Sequence, residues 1–319
     1  PGAAFGCGPW PRHEQERRGP GDETDVIAAS LHYFRHRRDA VPAALTALRR
    51  LGVDTVESPV PWSVHDDGGR VAFDGDGAHL IAFLEEAARA GLSADLRLGP
   101  FVGADLTGLG LPRHVAGDRE LAARHRDGSP HVVPVPPRWL VSPSCFSRAY
   151  RERAAAWVAA AAGAIRPFLF PSGPVRTVLL GDVWPFGGRN PAGSPDFHPD
   201  ALAAWEEARD AAPEGERGRL IAAEPCAVSS SDAAAVLEGI GVGRFHERGA
   251  IDFLRSLGDA VAGVFGGGAT LAASLPPAGL FPPVGAGLLA RSFDAVGLDV
   301  FGWPARSGSL DRDARLVAG

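Results

Sequence analysis

Val178-Leu-Leu-Gly-Asp-Val-Trp184 is an apolar run that ends in one carboxylate, Asp182, followed by Val183 and Trp184. A carboxylate at the end of a buried strand is well placed for acid/base work, because flanking loops can build a pocket around it. Glu57 lies inside Thr55–Val60 rather than in a variable loop. An unpaired acid there would be costly, so it is expected to be hydrogen-bonded. Glu224, after the apolar Leu220–Ala223, reads as a loop acid. His32 and His65 have no third ligand at useful spacing, which favours satisfied pocket histidines over a metal site. Gly239-Ile-Gly-Val-Gly243 and Gly266–Gly268 form no strand–G-x-G-x-x-G–helix unit, and no G-K-S/T follows. Both read as loops, and no nucleotide or other cofactor is expected.

These groups have to be positioned by regular elements, and the pattern alternates strand and helix from Asp25 onward. Val26–Phe34, Thr55–Val60, Ser93–Leu98, Val175–Leu180, Ala269–Leu275 and Ala295–Val300 read as strands. Helices are expected near Pro42–Leu51, His79–Ala90, Phe146–Phe168, Asp200–Ala211 and Ala250–Val264. Pro42 suits a first helical turn, and Gly52 and Gly91 suit helix ends. Leu80, Phe83, Leu84 and Ala87 recur at helical spacing. Such alternation implies a parallel sheet with right-handed crossovers. About six βα units can be counted, whereas a closed (β/α)8 barrel has eight. Gly99–Ser144 is a long Pro-rich excursion over one end of the sheet. Residues 1–24, rich in Gly, Pro and charge, read as a lead-in arm, leaving 25–319 as one domain.

Composition narrows the function classes. The chain has 319 residues, 45% of them apolar, enough for one large core. Its formal net charge is −6 and all 32 basic residues are Arg, scattered along the chain, which argues against nucleic acid as a partner. No apolar stretch approaches the roughly 18 residues of a membrane span. Cys7, Cys145 and Cys226 are far apart and form no C-x-x-C pair, so inert thiols are expected. No secretory signal is visible at Pro1-Gly-Ala-Ala, which points to the cytoplasm. Oligomeric state is open.

Three motifs in order carry a resemblance. Ser30-Leu-His-Tyr-Phe-Arg35 is similar to a strand ending in His-Tyr-x-Arg. Thr55-Val-Glu-Ser-Pro-Val-Pro-Trp-Ser-Val-His-Asp66 is similar to Thr-Val-Glu-Thr-Tyr-Val-x-Trp-Asn-x-His-Glu. Leu96-Arg-Leu-Gly-Pro-Phe-Val-Gly-Ala-Asp-Leu-Thr-Gly-Leu-Gly-Leu-Pro112 is similar to Arg-Pro-Gly-Pro-Tyr-x-Cys-Ala-Glu-Trp-x-x-Gly-Gly-Leu-Pro. These are motifs of the β-galactosidases of glycoside hydrolase family 35, with kinship to family 42. Phe197–Trp205 resembles a family-42 helix, and Ala295–Phe301 a later barrel strand. The resemblance covers roughly residues 25–305 and implies an incomplete TIM-barrel glycosidase domain acting on carbohydrate.

In that family two carboxyl groups, about 5 Å apart in a retaining enzyme, face each other across the scissile bond. Matched residue by residue, Val183 falls on the acid/base Glu, Asp182 on the preceding Asn and Trp184 on the following Tyr. Valine has no proton to donate, and a one-residue slip would make Asp182 the substitute. Pro59, Ser63, Asp66, Gly103 and Asp105 also depart from sugar-contact positions, whereas Trp62, His65, Gly99-Pro100, Gly108 and Leu111-Pro112 persist. Tyr33, Trp62 and Trp184 are expected to stack on a sugar, with Asp66, Asp105 and Asp182 as polar contacts.

The nucleophile is expected on a strand beyond Ala295–Val300. No Glu occurs in Gly302–Gly319, and Asp299, Asp311 and Asp313 are poor candidates. The reading is therefore a catalytically impaired, carbohydrate-binding pseudo-glycosidase. An active β-galactosidase seen as a partial chain is the alternative. A third possibility is a non-catalytic assembly role in which an exposed sheet edge docks a partner.

Overall fold

The computed structural model describes residues 27–102, 106–135, 138–182, 196–211, 233–275 and 286–298. Strands and helices alternate: β1 (Ala28–Ser30), α1 (Val41–Arg50), β2 (Thr55–Pro59), α2 (Leu80–Arg89), β3 (Ser93–Arg97), α3 (Arg148–Ile165) and β4 (Val175–Asp182). α4 (Pro199–Ala211), α5 (Ala233–Phe265), β5 (Thr270–Leu275), α6 (Ala286–Ser292) and β6 (Ala295–Leu298) complete the main sheet and its helices, and short helical turns and three two-stranded hairpins lie in the described connections.

The six strands pair in sequence order, β1-β2-β3-β4-β5-β6, and every pairing is parallel. This is an arc of a (β/α)8 barrel, with six of its units among the described residues. Alternate strand residues separate two faces. Val56, Ala94, Leu96, Val178 and Leu180 are fully buried in one core cluster with Leu45 of α1, Phe83 of α2 and Tyr150 and Trp157 of α3. The alternate residues Glu57, Asp95, Arg97 and Thr177 are only half-buried, so the opposite face of the sheet is polar.

Local signals explain the elements. α1 begins with Pro in its first turn, and Gly52 leaves it at φ +85°. Gly91 does the same for α2 at φ +69°. The Ser147 hydroxyl accepts from the Tyr150 N–H, capping α3. Ala154, Ala161 and Ala162 on its buried face let α3 pack closely against α5.

Two expectations need correction. Strand character from Val26 to Phe34 reduces to Ala28–Ser30 among the described residues, and Tyr33–Arg35 forms a 3-10 turn. The turn swings Tyr33 into the core, where its ring packs against Phe83 at 5.3 Å. Gly239–Gly243, expected as a loop, lies within helix α5, which starts at Ala233 rather than near Ala250. Glycine weakens a helix by only about 1 kcal/mol per residue relative to Ala, so tertiary packing can override it. Nearby Gly249 is needed at its place, since a Cβ there would lie 2.2 Å from the Phe146 ring. Gly266–Gly268 do form a loop, each with positive φ. The 1–24 arm and Glu224 lie outside the described residues.

The Gly-Leu-Gly-Leu-Pro motif has a backbone reason. Gly108, Leu109 and Gly110 all have positive φ, at 75°, 53° and 85°. A Cβ on Gly110 would lie 2.6 Å from Val102 Cγ2. Gly110→Ala is expected to destabilise by about 1–3 kcal/mol through backbone strain and overpacking. Urea unfolding should show a lower midpoint at unchanged slope. An unchanged midpoint would mean that the β3–α3 connection is not held in this conformation.

Candidate active site

A parallel sheet sends all strand C-termini to one edge, and the residues singled out in the sequence follow that edge. Tyr33 comes just after β1, Trp62 and Asp66 after β2, Asp105 in the connection after β3, and Asp182 closes β4. Asp105, Val183 and Trp184 lie outside the described residues.

The residues after β1 and β2 are welded together. Tyr33 is fully buried, and its hydroxyl meets His65 Nε2 at 2.5 Å. His65 Nδ1 is 2.7 Å from the Ala72 carbonyl. A carbonyl only accepts, so Nδ1 carries the proton and Tyr33 donates to Nε2. Burial pushes His65 down to about 4, against the opposing pull of the Ala72 carbonyl. The histidine is therefore neutral and satisfied at both nitrogens. Phe34 and Phe83 pack on the Tyr33 ring at 5.4 and 5.3 Å, with His79 edge-on at 5.8 Å.

Trp62 is 3% exposed and stacks on Trp157 of α3 at 5.8 Å, nearly parallel. Its indole Nε1 donates to Asp66 Oδ2 at 2.8 Å, while Asp66 Oδ1 accepts from the Gly69 N–H. His114 Nε2 lies 3.5 Å from the same carboxylate. In this geometry Tyr33 and Trp62 offer no open ring face for a sugar, and Asp66 is occupied by internal partners. They hold the loops that surround the strand ends.

On the polar face, Glu57 and Asp95 are register neighbours across β2 and β3. Arg97, the last residue of β3, reaches Glu57 Oε1 at 3.3 Å, so the strand acid is paired as the sequence implies. Burial pushes the Asp95 carboxyl up, a hydrogen bond from Thr177 opposes this, and the Glu57 charge adds to the rise. This polar layer was missed as a unit by sequence reading. The signal was there, in the alternation Ser93-Ala-Asp-Leu-Arg97, with polar or charged residues at every second position.

At the end of β4 the ladder is irregular. Leu180 pairs with Ala273 but Asp182 pairs with Ser274, so Gly181 is an extra residue against β5. Bulges of this kind bend a strand and re-aim its later side chains, and they recur beside active sites.

Likeness to known proteins can be set against this geometry. Residues 20–130 match the sequence profile described as Glycosyl hydrolases family 35. The chain carries a family-35-like glycosyl hydrolase domain. An exo-beta-D-glucosaminidase of Thermococcus kodakarensis is 27% identical over 169 residues, 51% of this chain and 21% of that protein. Beta-galactosidase 1 of Dictyostelium discoideum is 30% identical over 118 residues, 36% of this chain and 17% of that protein. The chain thus spans about a fifth of the length of these relatives. The crystal structure of a beta-galactosidase from the psychrophilic Marinomonas ef1 superposes with a TM-score of 0.62 at 14% identity, covering 90% of this chain and 43% of that one. At that identity it supports the fold alone, an incomplete TIM barrel.

Two features away from the strand ends bear on the same domain. Cys145 is buried, and burial pushes its thiol up to about 12, so it is inert at neutral pH. Among the described residues, no helix is long and apolar enough to cross a membrane.

The neutral, buried His65 predicts an acid slope in stability. Its folded value lies below the ordinary 6.5, so the unfolded chain binds the proton more readily. Above pH 6.5 the residue contributes no pH dependence; stability is lost as pH falls toward about 4. The loss should reach roughly 3 kcal/mol. Chemical denaturation of wild type and His65→Asn between pH 7.5 and 4.5 checks this. A wild-type slope unchanged by the substitution would contradict it.

Proposed function

We propose that this domain binds terminal β-galactosides at the C-terminal edge of its sheet and turns them over poorly or not at all. The observation that carries the reading is Val183, at the position where the family places its proton donor, directly after the last residue of β4. Without a carboxyl group there, the leaving oxygen has no acid to protonate it. The preserved framework of Tyr33, Trp62 and His65 supports a retained loop arrangement, since a released pocket would not need it. Asp105, Asp182 and Trp184 are the proposed sugar contacts, two supplying hydrogen bonds and one a ring face.

A second reading has an observation of its own. In an unbroken strand, positions 180 and 182 share a face. The register shift at Gly181 instead puts position 182 in step with Ser274, the neighbour of Ala273, which pairs with Leu180. This supports Asp182 as a substitute proton donor one residue before the family position, in a β-galactosidase whose other carboxyl group comes from elsewhere in the full protein.

Two measurements on the 319-residue chain separate these readings. Calorimetry with methyl β-galactoside, beside the β-glucosaminide, should give a dissociation constant on the order of millimolar, while an aryl β-galactoside is not hydrolysed. No heat at millimolar sugar would sink the binding proposal. Hydrolysis that disappears in Asp182→Asn would replace the first reading with the second.

A further inference from the structure

A second cluster lies apart from the strand-end residues, where three connections meet. The loop at residues 120–131 follows β3, residues 196–200 lead into α4, and α5 contributes His246. Asp196 Oδ1 accepts from the backbone N–H groups of Arg124 at 3.0 Å and His198 at 2.8 Å. The Phe197 N–H donates to the Arg124 carbonyl at 2.9 Å. These bonds strap 196–198 onto the loop.

The histidines around the strap are held in specific proton states. The Asp196 N–H donates to His246 Nε2 at 2.9 Å, and the Asp200 N–H donates to His198 Nδ1 at 3.1 Å. Each of these ring nitrogens is thus an acceptor and carries no proton. His198 Nε2 then donates to the Glu120 carbonyl at 2.9 Å. His131 packs on His125 with ring centroids 4.0 Å apart, and its Nε2 is buried with no hydrogen-bond partner among the described residues. A proton added at His246 Nε2 or His198 Nδ1 would point one donor at another. A charge on His131 would be half-buried against the His125 ring, with no acceptor at Nε2 among the described residues.

We propose that this junction is an acid-opened latch, closed only while His246, His198 and His131 are neutral, which fastens the segment entering α4 to the loop after β3. The charged groups around it pull in both directions. Asp196 and Asp200 attract protons, the latter lying 3.9 Å from His198 Nδ1 and itself holding the Arg148 N–H. Glu120 pairs with Arg124 at 3.6 Å at the exposed rim. From beneath, Cys145 is a neutral thiol, and Arg151 binds its carbonyl with Asp252 nearby. Phe146 and Phe245 pack edge-on against the His246 ring at 5.5 and 5.3 Å. Consistently, burial pushes His131 down to about 4, with His125 adding to the fall and Asp196 opposing it.

Hydrogen exchange of the full chain tests the proposal. After correction for the intrinsic pH dependence, opening at the Asp196 and Phe197 amides should rise by about tenfold to a hundredfold per pH unit below the ordinary histidine range, roughly pH 6.5, one proton per latch histidine, with α1 and α2 amides unchanged. The double variant His246→Gln/His198→Gln keeps an acceptor at each position but cannot be protonated there, and it should lose this response, keeping only what His131 adds as pH falls toward about 4. An Asp196 amide equally protected at pH 7 and pH 5 would overturn the latch, as would a double variant with the wild-type acid response. If the double variant fails to fold, imidazole NMR titration of wild type decides. His246 and His198 must then titrate over the pH range in which the two amides open, and titration elsewhere would overturn the latch equally.

Discussion

A parallel ladder in which each strand is followed by its own crossover forces every strand to point the same way, and that constraint places everything else. Its outward residues, among them Val56, Leu96, Val178 and Leu180, are apolar and have to be covered by helices. Once they are, the strand C-termini share one edge, and the loops there are free to vary without disturbing the core. Strands β1, β2 and β4 deliver Tyr33, Trp62 and Asp182 toward that edge although 149 positions separate the first from the last, 182 minus 33.

The framework extends into the loops through buried polar pairs. Tyr33 with His65, and Trp62 with Asp66, each bury a donor and supply its acceptor in the same step. Removing one partner leaves the other buried and unsatisfied, which is destabilising by about 1–3 kcal/mol. The Tyr33–His65 pair ties residues 32 positions apart into one unit, and the Trp62–Asp66 pair fixes the turn between its own two residues. The stacked Trp62, Trp157, His65 and Phe73 rings fill the space between them. The motifs that carry the family resemblance are, in large part, these structural residues.

Polar groups line one face of the sheet, and the ladder loses its regularity at one strand end. Glu57, Asp95 and Arg97 put two acids and one base on the polar face of β2 and β3, and the β4 ladder breaks its register at Gly181, immediately before Asp182. A protein can keep a fold while its functional residues change, because the former depends on the buried face and the latter on the loops.

Apolar periodicity made the alternation of strands and helices legible, because burial on one face of a strand or helix leaves its period in the residues themselves. Glu57 was recognisable as a paired acid by its place within a strand, yet its partner Arg97 lies 40 residues away and only the register brings them together. The conversion of Tyr33 from expected sugar platform to core residue depended on a 3-10 turn that ends β1 early, and the helical course of Gly239–Gly243 depended on neighbours that override weak glycine propensity. The His125, His131, His198 and His246 junction had no local signature, being assembled from three connections. Residue types and their spacing determined the architecture and the family-like motifs. Which polar groups meet, and in what protonation state, was decided by tertiary packing, because hydrogen bonds and desolvation act across space rather than along the chain.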